Sequence, residues 1–286
     1  KYAGKSIGDT PHKDVLAASY LKDNLRIVVP NDANGHIWPS IYPEILTRIL
    51  ANRSTIIFCN GRRATERLAA KLFPGKKIQA GGGMVQLTAP LRAAYGASVP
   101  VKVVSKIAQT PSLYVRRVHI VVDKNPSPIA AVLDLTTDAG QADFEMRLRV
   151  DEYSHVRVVS ELSNGELHTD SRYVKTSGGC SAPPNRDALH LIGKTMFKLP
   201  SGVAMNAPTT ADVTVIHPND TGFELNNVTV MFIPPHFVRS IKVSYAGKKI
   251  FDADLDFSVS ENPTLRFNFV PHGPGELRAD VTDSKE

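Results

Sequence analysis

SHVRVVSELSNGELHTDSRYVKTSGGC, residues 154–180, decides the fold. From Val156 apolar and polar residues alternate through VRVVSEL, the two-residue period of a strand with one face buried. Asn164-Gly165 then supplies a pair suited to a type I′ turn, and LHTDSRYVK runs back as a second strand. The hairpin leads straight into two glycines and a cysteine.

Working outward, the same texture extends in both directions. Upstream lie MVQLTAP, VPVKVVS, RRVHIVVD, AAVLDL and FEMRLRV, separated by turn signals such as NPSP. About seven short strands over 73–180 are the content of an immunoglobulin-like sandwich. Downstream, 181–210 is rich in Pro, small and polar residues and reads mostly as linker. Strand patterns resume in ADVTVIHP, VTVMFI, VRSIKVSYAG, KKIFDADL, LRFNFVP and GELRADVTD, with a tight hairpin at YAGKK, 245–249. Residues 211–286 are therefore expected to form a second small sandwich, with no obvious repeat of the first.

Residues 1–72 differ. IYPEILTRIL has helical spacing, STIIFC is a short buried strand, and RRATERLAAKL returns to helix. The expected fold class is mainly β: two immunoglobulin-like β-sandwiches in tandem (73–180, ending in a cysteine arm, and 211–286), joined by 181–210 and preceded by a small α/β segment at 1–72.

The 286 residues are 42% hydrophobic and 22% charged, with no apolar run long enough for a membrane helix. The net charge of +6 is uneven. Residues 1–72 hold 11 Lys and Arg against 6 Asp and Glu, a net of +5, so the remaining body is nearly neutral. Only the first segment has the charge of a nucleic-acid-seeking surface. No signal peptide is evident, and the chain begins at Lys1.

Cys59 and Cys180 lie in segments of different character, which argues against a disulfide, and no CxxC or HxxxH spacing suggests zinc. Cys59, on a predicted strand, reads as a small buried residue. Around Cys180, Gly178 and Gly179 leave the backbone slim and conformationally free, and Pro183 and Pro184 stiffen it beyond. On the residues alone two readings stand. One is an arm that projects a thiol into a cleft of another protein; the other is a glycine loop that happens to hold a cysteine. Lys175 and Arg186 are close enough in sequence to support a thiolate.

A resemblance favours the first. LTAPLRAAYGASVPVKV, IVVDKNPSPIAAVLDL and RLRVDEYSHVRVVSELSNGELHTDSRYVKTSGGC resemble the SoxY subunit of the sulfur-oxidation carrier. IHPNDTG, VTVMFIPPHFVRSIKVSYAGKKIFDADLDFSVSENPTLRFNFVP and GELRADVTDS resemble its partner subunit, SoxZ. The resemblance spans about 73–284. It implies immunoglobulin-like sandwiches, a substrate sulfur carried covalently on Cys180, and no catalysis by the carrier itself. It also implies a periplasmic setting, without membrane insertion, among Sox-type enzymes and c-type cytochromes. In SoxY the cysteine ends the chain in GGCGG; here GGCSAPP continues into the SoxZ-like part. This fused form resembles the carriers associated with quinoprotein dehydrogenases, and its cysteine would enter an enzyme as a loop. Thiosulfate service is placed in question, and no cofactor is implied.

The first segment is similar to a different family. STIIFCNGRRATERLA resembles the fourth motif of Lhr-type superfamily 2 helicases, which would put Asn60, Arg62 and Arg63 near nucleic acid. No GxxxxGK[ST] loop or DExH box accompanies it, so ATP hydrolysis is not expected. An alternative function is thus a nucleic-acid-associated helicase fragment, and a third is an interaction module with an inert cysteine. His155, His168, His217, His236 and His272 are scattered and read as surface or turn residues, not metal ligands. Asp151 and Glu152 point to opposite faces if on a strand, a poor acid/base pair. No GxSxG occurs.

Overall fold

The hairpin at 154–174 shows how local chemistry sets this architecture. In the computed structural model, which describes residues 73, 78–80 and 84–285, its two strands are Ser154–Leu162 and Leu167–Val174. Their turn is not the type I′ expected, because Asn164 is absent from the positive-φ residues. Gly165 alone takes positive φ, at 87°, and its N–H donates to Leu162 O while the Leu162 N–H donates to Glu166 O. That is a three-residue loop closed by a glycine bulge. The two-residue turn occurs instead at Ala246-Gly247, both at positive φ (48° and 77°), between paired Tyr245 and Lys248. A Cβ on Gly247 meets nothing within 4 Å, so Gly247→Ala costs strain alone. We expect it to lower unfolding free energy by about 1 kcal/mol, read from a urea melt.

Numbered along the chain, the strands are β1 (Ile78–Ala80), β2 (Val85–Thr88), β3 (Val99–Ala108), β4 (Val115–Val122), β5 (Ile129–Leu135), β6 (Gln141–Leu148), β7 (Ser154–Leu162) and β8 (Leu167–Val174). They continue as β9 (Thr195–Lys198), β10 (Thr209–Val215), β11 (Leu225–Asn226), β12 (Met231–Phe232), β13 (Val238–Tyr245), β14 (Lys248–Leu255), β15 (Thr264–Phe269) and β16 (Leu277–Asp283). Among the described residues the only helical pieces are two short 3-10 turns, at Thr137–Ala139 and Leu189–Leu191.

Both expected β halves are present, and they share both sheets. One sheet runs β1-β8-β7-β4-β5-β14-β13-β16, the other β2-β3-β6-β15-β10-β9. The first crosses from one half to the other where β5 pairs antiparallel with β14, from Leu135 opposite Phe251 to Ala131 opposite Leu255. The second crosses where Glu145 of β6 lies opposite Arg266 of β15. The two pairings cover four strand edges, of β5, β14, β6 and β15, that separate sandwiches would have to protect. Val118, Ile120, Leu133, Phe144, Val213, Ile241, Phe251 and Phe267 accordingly belong to one apolar core. Phe251 bridges it, its ring edge-on to Phe144 at 6.2 Å and to Phe267 at 5.0 Å.

The 181–210 segment, expected mostly as linker, carries β9, which pairs with β10 from Lys198 opposite Asp212 to Thr195 opposite Val215. Its Phe197 packs against the core while Met196 and Lys198 face out. A four-residue alternation is too short to stand out in a Pro-rich stretch. No helix among the described residues is long and apolar enough to cross a membrane. The α/β segment, the helicase-like motif, Cys59, Asn60, Arg62 and Arg63 lie outside the described residues.

Candidate functional site at the seam of the two halves

Past β8 the chain does not project outward. Lys175 ties in through its backbone, its N–H donating to Leu91 O at 2.8 Å. Gly178 N–H then donates to Asp151 O at 2.7 Å and Gly179 N–H to Val150 O at 3.2 Å. Cys180 follows with 1% of its surface exposed. Its N–H donates to Asp151 Oδ1 at 3.1 Å, and its carbonyl accepts the Thr221 hydroxyl at 2.5 Å. Asp151 comes from the first half and Thr221 from the second, so the cysteine sits where the halves meet.

The glycines serve this docking rather than looseness. Gly178 takes φ 71°, a left-handed conformation that side chains disfavour. A Cβ on Gly179 would fall onto the carbonyl oxygens of Gly96 and Val150. Gly96 is equally close-packed, against Ser177 O and Val150 O. The pair was expected as arm flexibility; one fixes a turn and the other permits backbone contact.

Arg149 holds the dock together. It follows β6 and is 1% exposed. Nη1 donates to Gly179 O at 2.9 Å and Ala182 O at 3.1 Å, and Nη2 to Asn219 O at 3.4 Å. Its own backbone is pinned, since its N–H donates to Ser258 O and its carbonyl accepts from Asn125 Nδ2, both at 2.7 Å. Nε finds no acceptor, and no carboxylate pairs with the guanidinium among the described residues. Burial drives its pKa down from the ordinary arginine value.

The electrostatics leave Cys180 as a thiol. Burial pushes its pKa up to about 12, Asp151 and Asp256 add to the rise, and Arg149 opposes it. Burial also raises Asp256 to about 6, against hydrogen bonds from Ser127 and the Phe257 and Ser258 backbone. Neither expected thiolate support is among these charges. Arg186 is turned to Asp220 Oδ1 at 2.7 Å and Glu224 Oε2 at 2.8 Å, two acids of the following half that outcompete a neutral thiol. The cation beside Cys180 is Arg149, thirty-one residues back. Nothing in RLRVDE marks it out from Arg147, because the burial comes from the 180–182 and 219 segments folding over it.

Asp151 and Glu152 lie in the loop between β6 and β7 rather than on a strand, and still diverge, Asp151 accepting the Cys180 N–H and Glu152 reaching Lys124 Nζ at 3.2 Å. His155 lies against the Tyr173 ring, His168 is 3.3 Å from Glu166, and His272 is 3.1 Å from Asn206. His217 and His236, read as isolated turn residues, instead come together with Asp283.

Comparison with known proteins divides the chain at this seam. The family model described as sulfur oxidation protein SoxY matches residues 69–180, and that described as sulphur oxidation protein SoxZ matches residues 197–286. No curated protein matches the chain. Among solved structures, the sulfur carrier protein SoxY from Chlorobium limicola f thiosulfatophilum is 26% identical, at TM-score 0.34 over 40% of this chain and 96% of that one. A superoxide reductase (neelaredoxin) from Ignicoccus hospitalis is 11% identical, at TM-score 0.30 over 32% of this chain and 79% of that one.

Proposed function

The chain is a fused SoxYZ-like protein, SoxY over 69–180 and SoxZ over 197–286, and we propose that it is a covalent carrier with Cys180 as its attachment point. The observation that carries this reading is the docking of Cys180 between the two halves, thiol protonated and backbone held by a few hydrogen bonds. Docked, the thiol is a poor nucleophile. Released into water, its pKa returns toward 9.0 and the thiolate becomes available. Docking therefore gives a carrier a sequestered resting state, and Cys180 is the last residue of the segment that matches SoxY.

The dock also suits an anionic load. A buried guanidinium without a carboxylate partner lowers the energy of any negative group brought beside it. Joining thiosulfate to Cys180 forms an S–S bond, converts Cys–SH and thiosulfate to a cysteine S-thiosulfonate, and releases one proton and two electrons. A redox partner of the c-type cytochrome class would accept those electrons. Partners of this kind, Sox-type or quinoprotein dehydrogenase-associated, and a periplasmic setting are part of the proposal. With the chain continuing past Ala182, such a partner receives a loop.

Intact-mass measurement tests this. Protein isolated without reductant, or offered thiosulfate or sulfide with an oxidised c-type cytochrome of a Sox system, should gain a reductant-labile adduct. Cys180→Ser should gain none. No adduct on the parent chain under either condition sinks the carrier reading and leaves an inert cysteine.

A further inference from the structure

Away from Cys180's thiol, three ligand-type atoms converge on one point. His217 Nε2 lies 3.3 Å from His236 Nε2 and 3.5 Å from Asp283 Oδ2, and His236 Nε2 lies 2.8 Å from that same oxygen. A zinc ion with bonds near 2.0–2.1 Å spaces its tetrahedral ligand atoms about 3.3 Å apart. Two of the three separations match that spacing, and the third, a 2.8 Å hydrogen bond between His236 and Asp283, opens by about half an ångström when an ion takes its place. It is the one cluster of this kind among the described residues. We infer that His217, His236 and Asp283 form a three-ligand site for a zinc-class divalent ion, with its fourth position open.

The ligands are fixed by backbone, as a built site requires. His236 exchanges both main-chain hydrogen bonds with Asp220, at 2.7 and 2.9 Å. Asp283 closes β16 beside Val238 of β13. The other Asp283 oxygen, Oδ1, accepts the Lys285 N–H at 2.7 Å, which turns Oδ2 toward the histidines. His217 is 2% and His236 9% exposed, while the Asp283 side chain is 19% exposed and leaves an approach from solvent. Burial, with His236 adding, lowers the His217 pKa. Without metal, His217 Nδ1 accepts the Asn219 N–H at 3.0 Å, which puts the ring proton on Nε2. An ion at Nε2 moves that proton to Nδ1, and the Asn219 contact is what loading gives up.

Zinc and cobalt(II) added to the metal-free full chain decide the matter. Calorimetry should register one equivalent of zinc. Cobalt should give the visible bands of a tetrahedral nitrogen and oxygen site without a thiolate charge-transfer band. Asp283→Asn and His236→Gln should each weaken zinc binding at least ~100-fold, and Cys180→Ser should leave it unchanged. Should His236→Gln fail to fold by circular dichroism, Asp283→Asn, beside the chain's end, still decides. No uptake, uptake unchanged in Asp283→Asn, or a thiolate band on cobalt overturns the assignment.

Discussion

In a Cys59→Ser background at pH 7, Cys180 should react with iodoacetamide at least ~1000-fold more slowly in the folded protein than in urea. The reagent attacks thiolate, and a pKa moved from 9.0 to about 12 removes three powers of ten of it. The pH dependence carries a sign that identifies the cause. The docked state is stabilised relative to an exposed thiol while both are neutral, below pH 9. Above that the exposed thiol ionises and the docked one does not, so docking loses about 1.4 kcal/mol per pH unit. The logarithm of the folded-state rate should thus climb with unit slope through pH 9, where the unfolded chain's rate levels off. A plateau near pH 9 in the folded protein would show a thiol already exposed. Gly179→Ala should bring the rate close to the unfolded value, because its Cβ has no room beside Gly96 O and Val150 O. Gly178→Ala meets no close neighbour and should act only through its positive φ, worth about 1 kcal/mol or roughly fivefold in rate.

Arg149→Met should release the same segment by another route. Two of its three hydrogen bonds end on Gly179 O and Ala182 O, on either side of Cys180. Charge-assisted bonds of this kind contribute about 1.5 kcal/mol each, so losing both should raise the labelling rate ~100-fold. Global stability should change less than docking does. The guanidinium is buried without a carboxylate, and replacing it also removes its desolvation cost. Labelling at the wild-type rate in Arg149→Met would remove Arg149 from this role. A urea midpoint that falls in step with labelling would mean that the arginine supports the whole fold and not the dock.

Much of the architecture was legible in sequence because strands announce themselves locally. The alternation in RVHIVVD does bury Val118, Ile120 and Val122, and the Ala246-Gly247 turn closes its hairpin as YAGKK suggested. Less legible was anything that depends on which strands become neighbours. A period of two says which side chains face inward, not that β5 will pair with β14 and fuse two sandwiches into shared sheets. The turn at Asn164-Gly165 also went its own way, since a bulge at Gly165 closes the loop from Leu162 and needs positive φ at the glycine alone.

By itself, then, the sequence determined the two β halves, the glycine-flanked cysteine between them and the likeness to SoxY and SoxZ. Only the tertiary structure decided that Cys180 is docked, that Arg149 rather than Lys175 or Arg186 accompanies it, and that His217, His236 and Asp283 meet. The reason is that each of these rests on contacts between segments 19 to 109 residues apart, from His217 with His236 to Arg149 with Ser258. Such contacts are set by the packing of whole strands, and no local pattern in the chain encodes them.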